Sequence, residues 1–382
     1  MKRKISVTTG SRAEYGILRP VLEKIANSRK LDLCLIVTGM HLSRKYGMTV
    51  NEIKRDGFKI AATVNMVPKE DSPYFMAKFL GKGIIKFSKI FQKLRPDINL
   101  VLGDRDEMLA SALAAYHMNI PNVHIHGGET SGGIDEYTRH AITKMSNIHF
   151  VATKKSMERI IKLGENPKYV FLTGSPSIDE VISNKITDKK TLERRYNIKI
   201  SGKEILMLQH PVTTEIENTE KQITILLNAI TKIKKLTIAI APNSDAGHKK
   251  IFEKITEYSR KHDFIKIYPS IPRSDYLGML QNFGVLVGNS SSGLIESSYF
   301  DIPVVNVGIR QKNRERGNNV INVRGNSMNS IYKALLMALK KPHKTGSTNQ
   351  CIYGDGTSSN KIVKYLEDIS LDRNLIQKQI FY

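Results

Sequence analysis

The feature that most constrains this chain is an alternation that runs almost from end to end, in which short apolar segments are each followed by an amphipathic one. Residues 4–8, 31–37, 98–102, 121–126, 149–152 and 170–173 read as strands. They are near-continuous apolar runs, the mark of strands buried on both faces. Residues 14–28 and 106–117 carry helical spacing instead. The first places Leu18, Val21, Leu22 and Ile25 on one face, the second Leu109, Ala112, Leu113 and Tyr116. Such alternation builds a parallel sheet covered by helices. The pattern pauses at TGSPSIDEV, residues 173–181, and through a polar stretch to about 203. It restarts with strands at 204–209, 236–241, 264–269, 284–289 and 303–308. We therefore expect two doubly wound, Rossmann-like α/β domains, residues 1–173 and 174–359, with a polar loop at 344–360. A last helix starts at about 360, and the pattern leaves open whether the segment to 382 returns to the first domain.

Composition narrows the partners. The chain has 382 residues, 40% of them hydrophobic, enough for two cores. No apolar run approaches bilayer length, and MKRKISVTTG lacks the apolar stretch of a signal peptide, so a cytoplasmic protein is expected. Two cysteines, Cys34 and Cys351, make neither a disulfide framework nor a zinc site. The formal charge of +23 raises nucleic acid as a partner. Yet the lysines are spread along the chain, without a Trp or a motif that joins aromatic and basic residues. The densest stripe, Lys82, Lys86, Lys89, Lys93 and Arg95, has the spacing of one solvated helix face. No nucleic-acid, membrane or metal partner is expected.

Open α/β sheets bind ligands beyond the carboxyl ends of their strands, and the ionisable clusters fall there in both halves. GDRDE (103–107) and HIHGGETSGGIDEYTRH (124–140) bring together Asp104, Asp106, Glu107, Glu129, Asp135 and Glu136 with His124, His126 and His140. Carboxylates held near each other acquire split pKa values, so that one donates and one accepts a proton. The plainer reading of Asp104 and Asp135 is a helix N-cap, and of His124 a satisfied core histidine. The density of the cluster favours function. No HExxH spacing points to a metal. In TTGSRAEYG (8–16), Gly10 and Ser11 offer backbone donors at a helix start, and Arg12 a bidentate anion contact. LQHPVTT (208–214) ends a strand on His210, placed to bind phosphate or shift a proton. GNSSSGLIES (288–297) offers Ser290 and Ser291 as a phosphate seat at a helix start. Glu296, one to two turns on, suits two ribose hydroxyls. NVGIRQKNRERG (306–317) adds Arg310, Arg314 and Arg316 to neutralise a diphosphate.

Taken in order, TTGSRAEYG, VTGMH, LGDRDE, HIHGGE, IDEYTRHAITKMS, LQHPVTT, PNSDAG, GNSSSGLIE and GIRQKNRERG resemble the UDP-N-acetylglucosamine 2-epimerases over about residues 5–320. The likeness is greatest to the hydrolysing branch, which makes N-acetylmannosamine or its 2,4-diacetamido-trideoxy analogue for sialic- or legionaminic-type sugars. It implies a glycosyltransferase-B type fold, with two domains facing a cleft for a UDP-sugar, no cofactor, and a homodimer or homotetramer. It also implies roles. Arg12 lies near the nucleotide phosphates, and Asp104 and Asp135 are acid/base groups. Arg139 is on the sugar side. His210 belongs to the HPVTT loop, and Asn243 lies near the nucleotide. Ser290 and Ser291 bind phosphate, Glu296 holds the ribose, and Arg310 lines the nucleotide cleft. One departure concerns His126. Some relatives carry a catalytic Glu there, and Glu129 is the nearest carboxylate in this chain, so either residue is a candidate to work with Asp104. The implied reaction eliminates UDP to a glycal, which is then hydrated. A non-hydrolysing epimerase and a glycosyltransferase of the same fold are the alternatives.

Overall fold

The computed structural model describes residues 2–67, 70, 72–183, 186–341 and 351–382. Contacts divide the chain into two compact units. Met1–Glu129, Asp135–Ser183 and Tyr353–Tyr382 form the first, and Thr130–Ile134 with Asn184–Ile352 form the second.

The first unit is a seven-stranded parallel sheet. Its strands are β1 (Arg3–Thr9), β2 (Leu31–Thr38), β3 (Ile60–Val64), β4 (Ile98–Leu102), β5 (Asn122–Ile125), β6 (Ile148–Val151) and β7 (Val170–Leu172), in the order β3-β2-β1-β4-β5-β6-β7. Between them run α1 (Arg12–Asn27), α2 (Val50–Arg55), α3 (Pro73–Leu94), α4 (Asp106–His117), α5 (Ile134–Lys144), α6 (Lys154–Lys162) and, after β7, α7 (Pro176–Ile182). β4, β5 and β6 are buried along their whole length, as a sheet covered on both faces requires. β3 escapes the sequence reading because it is an edge strand, half exposed in alternation, and its IAATV makes no solid apolar run. A buried polar ladder fixes the register across β1, β4 and β5. Ser6 Oγ donates to Asn99 Oδ1 at 2.8 Å, and Asn99 Nδ2 to Asn122 Oδ1 at 2.9 Å. A slip by one residue would strand these groups in apolar surroundings.

The helix faces hold one correction. On α4 the expected inward set was Leu109, Ala112, Leu113 and Tyr116. The structure instead buries Met108, Ala110, Ser111, Ala112, Ala114 and Ala115, and leaves Tyr116 exposed. The cause is α3, whose Phe87 and Phe91 pack onto Ala110, Ala114 and Ala115 from outside. A helix caught between a sheet and another helix needs small residues on both sides, and Tyr116 is displaced to the rim. The lysines of α3 stand exposed on its outer side.

The second unit is a six-stranded parallel sheet of β8 (Ile205–Leu208), β9 (Thr237–Ile240), β10 (Ile265–Tyr268), β11 (Val285–Gly288), β12 (Val304–Val307) and β13 (Val320–Val323), ordered β10-β9-β8-β11-β12-β13. Its helices are α8 (Lys189–Tyr196), α9 (Thr219–Ile233), α10 (His248–Lys261), α11 (Arg273–Asn282), α12 (Glu296–Phe300) and α13 (Met328–Lys340). β13 is a second edge strand absent from the sequence reading. In both sheets the strand order reverses once, between β1 and β4 and between β8 and β11.

The chain then returns to the first unit as α14 (Ser358–Asp368) and α15 (Arg373–Ile376). Of the polar loop expected at 344–360, residues 344–350 lie outside the described residues. Apolar residues of α14, Ile362, Val363 and Leu366, join the core built on α1 and the sheet. Asp179 of α7 accepts the Ser358 and Ser359 N–H groups at 3.0 and 2.6 Å, capping α14 from a distant part of the chain. The last residues are tied down by Glu165. Its carboxylate meets Lys378 at 2.6 Å, Lys144 at 2.7 Å and His149 at 3.1 Å. Burial alone would raise this carboxyl, but the hydrogen bonds from His149, Lys144 and Lys378 outweigh it and hold it down at about 2. Among the described residues no helix is long and apolar enough to cross a membrane.

Asp179→Ala leaves two buried N–H groups unpaired, so it is expected to cost about 1–3 kcal/mol in urea denaturation. Amide exchange in α14 should accelerate first. Unchanged exchange there would show that the cap contributes nothing.

Candidate active site

The strand-order reversals give each sheet one crevice where successive loops diverge, the place where such sheets take ligands. The two crevices are lined by opposite chemistry.

In the first unit, the loops after β1, β2 and β4 meet. Ser11 is the N-cap of α1, and the Gly10 N–H donates to Glu14 Oε2 at 2.9 Å. Glu107, in the first turn of α4, lies alongside. The point where a Cβ of Gly10 would stand is 3.1 Å from Glu107 Cδ and 3.2 Å from Glu14 Oε2. Gly39 closes the third side at φ +56°, and a Cβ there would come to 2.3 Å from Glu107 Oε1. Only glycine meets both demands. Arg105 Nε meets Glu107 Oε2 at 3.2 Å. Both carboxyls are buried. Burial pushes the Glu14 carboxyl up to about 7, Arg105 pulling it down and the Glu107 charge pushing it up. Glu14 thus takes the Gly10 donor that the sequence offered to an anion. Arg12 is engaged nearby, with Nε 2.8 Å from Glu52 Oε2.

The next loops along the sheet carry the other candidates. Asp104 pairs with Arg139 of α5, whose guanidinium is buried and also donates to the Glu129 carbonyl at 2.9 Å. Arg139 thus acts here as the clamp of Asp104. Asp104 does not cap α4, because the N-cap position is Arg105. His126 adopts φ +62°, a left-handed conformation unusual outside glycine, and its Nδ1 lies 3.4 Å from Glu129 Oε1. Both side chains are buried. The two residues between which the sequence could not choose are therefore neighbours. Asp135 sits with Glu136 in the first turn of α5. His124 is the satisfied core histidine expected, with Nε2 2.7 Å from the Gly103 carbonyl and Nδ1 3.1 Å from Thr143 Oγ1. Burial lowers it to about 3, which keeps it neutral.

In the second unit the loops after β8 and β11 are joined through Asn289. Its Oδ1 accepts the His210 N–H at 2.7 Å and its Nδ2 donates to the His210 carbonyl at 2.9 Å. Gly288 makes the approach possible, because a Cβ there would stand 1.9 Å from the Leu208 carbonyl oxygen. His210 Nδ1 accepts the Asn243 N–H at 3.2 Å. A neutral His210 therefore carries its proton on Nε2, as a donor. Gln311 Nε2 donates to the Asn289 carbonyl at 2.9 Å, and Arg310 Nη1 approaches it at 3.4 Å. Arg314 supports Gln311 at 3.0 Å. Ser290 and Ser291 are half-buried beside this cluster. Here the structure corrects the expected helix. The serines lead into a single 3-10 turn, Ser291–Gly293, and Glu296 begins the five-residue α12 rather than lying one to two turns into a helix. Little helix dipole is therefore available at this loop, and the donors it presents are hydroxyls, His210 and Arg310. Glu296 is buried against Arg273 at 2.8 Å, and its Oε2 has no hydrogen-bond partner among the described residues. Tyr276 and Ser292 bond to each other beside it.

Sequence reasoning missed Glu14, Asn289, Gln311 and Arg273, and gave Arg105 and Glu107 no individual part. Arg273 had a readable signal, a basic residue just after the strand FIKIYP. Glu14 had none, because a glutamate in a first helical turn is ordinary.

Known proteins resemble this chain along most of its length. The family model for UDP-N-acetylglucosamine 2-epimerase matches residues 23–367. The hydrolysing UDP-N,N'-diacetylbacillosamine 2-epimerase of Legionella pneumophila is 41% identical over 378 residues, 99% of each chain. The hydrolysing GDP/UDP-N,N'-diacetylbacillosamine 2-epimerase of Campylobacter jejuni is 35% identical over 337 residues, 87% of this chain and 88% of its own. The Methanocaldococcus jannaschii UDP-GlcNAc 2-epimerase, solved with UDP-GlcNAc and UDP, shares the fold at a TM-score of 0.79 and 21% identity, over 95% of this chain and 99% of that one.

The raised Glu14 pKa has a stability consequence of definite sign. A carboxyl raised from 4.5 to about 7 stabilises the fold below pH 4.5 and loses that contribution as pH rises through 7. Wild type should therefore lose of order 3 kcal/mol relative to Glu14→Gln between pH 5 and 8. Urea denaturation of both proteins across that range measures it, and parallel curves would rule it out.

Proposed function

The chain belongs to the UDP-N-acetylglucosamine 2-epimerase family, and we propose that it is a hydrolysing 2-epimerase that converts a UDP-linked N-acetylated amino sugar to the free manno-configured sugar and UDP. The observation that carries this reading is the division of charge between the crevices. The second unit gathers His210, Asn243, Ser290, Ser291 and Arg310, donors suited to a diphosphate, with Glu296 beside them for sugar hydroxyls. The first gathers Asp104, His126, Glu129 and Asp135, groups suited to moving protons. The reading assigns the nucleotide to the second unit and the reacting sugar to the first.

In this mechanism the bond from C1 to UDP breaks first and leaves an oxocarbenium-like sugar. The leaving diphosphate is stabilised by Ser290, Ser291, Arg310 and the Nε2–H of His210, with Arg12 as a further cation. Positive charge at C1 makes the C2 proton acidic, and Asp104, held by Arg139, removes it to give a glycal. Water adds at C1 while a proton returns to the opposite face of C2. The His126–Glu129 pair, or Asp135, supplies it. The sum is UDP-sugar plus water to free sugar plus UDP, without cofactor or metal. The Legionella relative is named for UDP-N,N'-diacetylbacillosamine and the Campylobacter one for its GDP or UDP form; we take the UDP-linked sugar as the substrate, with the product feeding an acidic nine-carbon sugar of the legionaminic type. This reading takes the enzyme to act in the cytoplasm.

Proton NMR of reactions with UDP-N,N'-diacetylbacillosamine and with UDP-N-acetylglucosamine should show free manno sugar and UDP as lasting products, with the first substrate preferred. A UDP-linked epimer as the lasting product would mean a non-hydrolysing epimerase. Asp104→Asn should lose about 10²–10⁴-fold in kcat while UDP affinity, by calorimetry, stays unchanged. Near-normal turnover would remove Asp104 from the mechanism.

A further inference from the structure

Two buried carboxyls, Glu14 and Glu107, stand in the crevice of the first unit, and no step above uses them. Burying two carboxyls side by side is costly unless their charge is met. One guanidinium, Arg105, is at hand, with Nε 3.2 Å and Nη2 3.4 Å from the two Glu107 oxygens. Two carboxylates and one guanidinium leave one negative charge over. A proton on Glu14 removes it, and burial favours that proton near neutral pH. The Gly10 N–H fixes one Glu14 oxygen, while Oε1 has no partner among the described residues. His41, buried behind Gly39 and bonded to Thr9 and Thr49, is held neutral by burial, so it adds no charge. The three groups are rooted in the loops after β1 and β4, and Gly39 of the loop after β2 closes against Glu107.

Arg105 directly follows Asp104, and its backbone is the N-cap of α4, a cap made without a side-chain hydrogen bond. The turn carrying Asp104 is held from across the sheet by Arg139 and by His124 on the Gly103 carbonyl, and from its own loop by the Arg105 side chain folded back onto Glu107. We infer that Glu14, Glu107 and Arg105 form a positioning unit that fixes the Asp104 turn, with Glu107 and Glu14 acting on turnover through Arg105. This inference deepens the hydrolysing-epimerase reading and rests on it. It explains why a glycine with positive φ is needed at position 39, since any side chain there would displace Glu107.

A double-mutant cycle tests it. Glu107→Gln and Arg105→Met are each expected to lower kcat for UDP and sugar release about 10–100-fold, as small misplacements of a reacting group do. KM and UDP affinity should stay within about threefold. The double variant should be no slower than the worse single variant, and Glu107→Asp should recover part of the rate. Multiplied losses in the double variant, or an unchanged kcat in Arg105→Met, overturn the inference. Should Glu107→Gln fail to fold, Arg105→Met decides alone, because Arg105 is partly exposed and its loss opens no core. Wild-type product analysis tests the underlying reading separately. A wild type that fails to release free sugar sinks that reading, whereas an active wild type with rate-neutral variants sinks only the positioning unit.

Discussion

Everything in this protein depends on one property of parallel sheets. Strands that run the same way end on the same side, and where their order reverses, the loops on either side part. Backbone groups and side chains at that gap are not covered by a crossover connection. The first unit reverses between β1 and β4, the second between β8 and β11. Each gap must be filled or used. The chain fills the first with its own carboxylates and dresses the second with hydroxyl, amide and imidazole donors.

This difference in filling sets what each unit can hold. At the first gap, the glycine turn after β1 has the form of an anion site, yet Glu14 takes its N–H. A diphosphate there would face Glu14 and Glu107 at close range. At the second gap, Asn289 ties the His210 loop to the β11 loop by two hydrogen bonds, and the Asn243 N–H on Nδ1 leaves Nε2 of a neutral His210 as the donor. Close backbone approach makes both arrangements possible. Gly39 and Gly288 occupy points where any Cβ would collide, one with a carboxylate and the other with a carbonyl.

The sites are held by groups a step removed from them. Arg139 is nearly inaccessible, yet it fixes both Asp104 and the Glu129 carbonyl, so two candidate loops share one buried cation. Such a pair is valuable for geometry more than for net stability, because desolvating two charges offsets much of their attraction. His126 shows the same economy in backbone form. Its left-handed φ turns the side chain onto Glu129, a strained conformation held by the loop around it.

What the sequence determined by itself was the architecture. Eleven apolar runs at strand length, separated by helical spacing, allow little besides two parallel sheets, since each run must be buried on both faces. They also placed the ionisable loops at strand ends, which is why Asp104, His126, Glu129, His210 and Glu296 stood out as candidates. Two edge strands, β3 and β13, were illegible, because an edge strand is half wet and IAATV makes no apolar run. Only the tertiary structure decided partners. That Arg139 clamps Asp104, that His126 lies against Glu129, that Glu14 meets Glu107, and that Asp179 caps α14 from 179 residues away depend on which loops the sheet order brings side by side. Local pattern encodes how a segment folds, but a contact between segments is fixed by the packing of the whole sheet, and no periodicity within either segment records it.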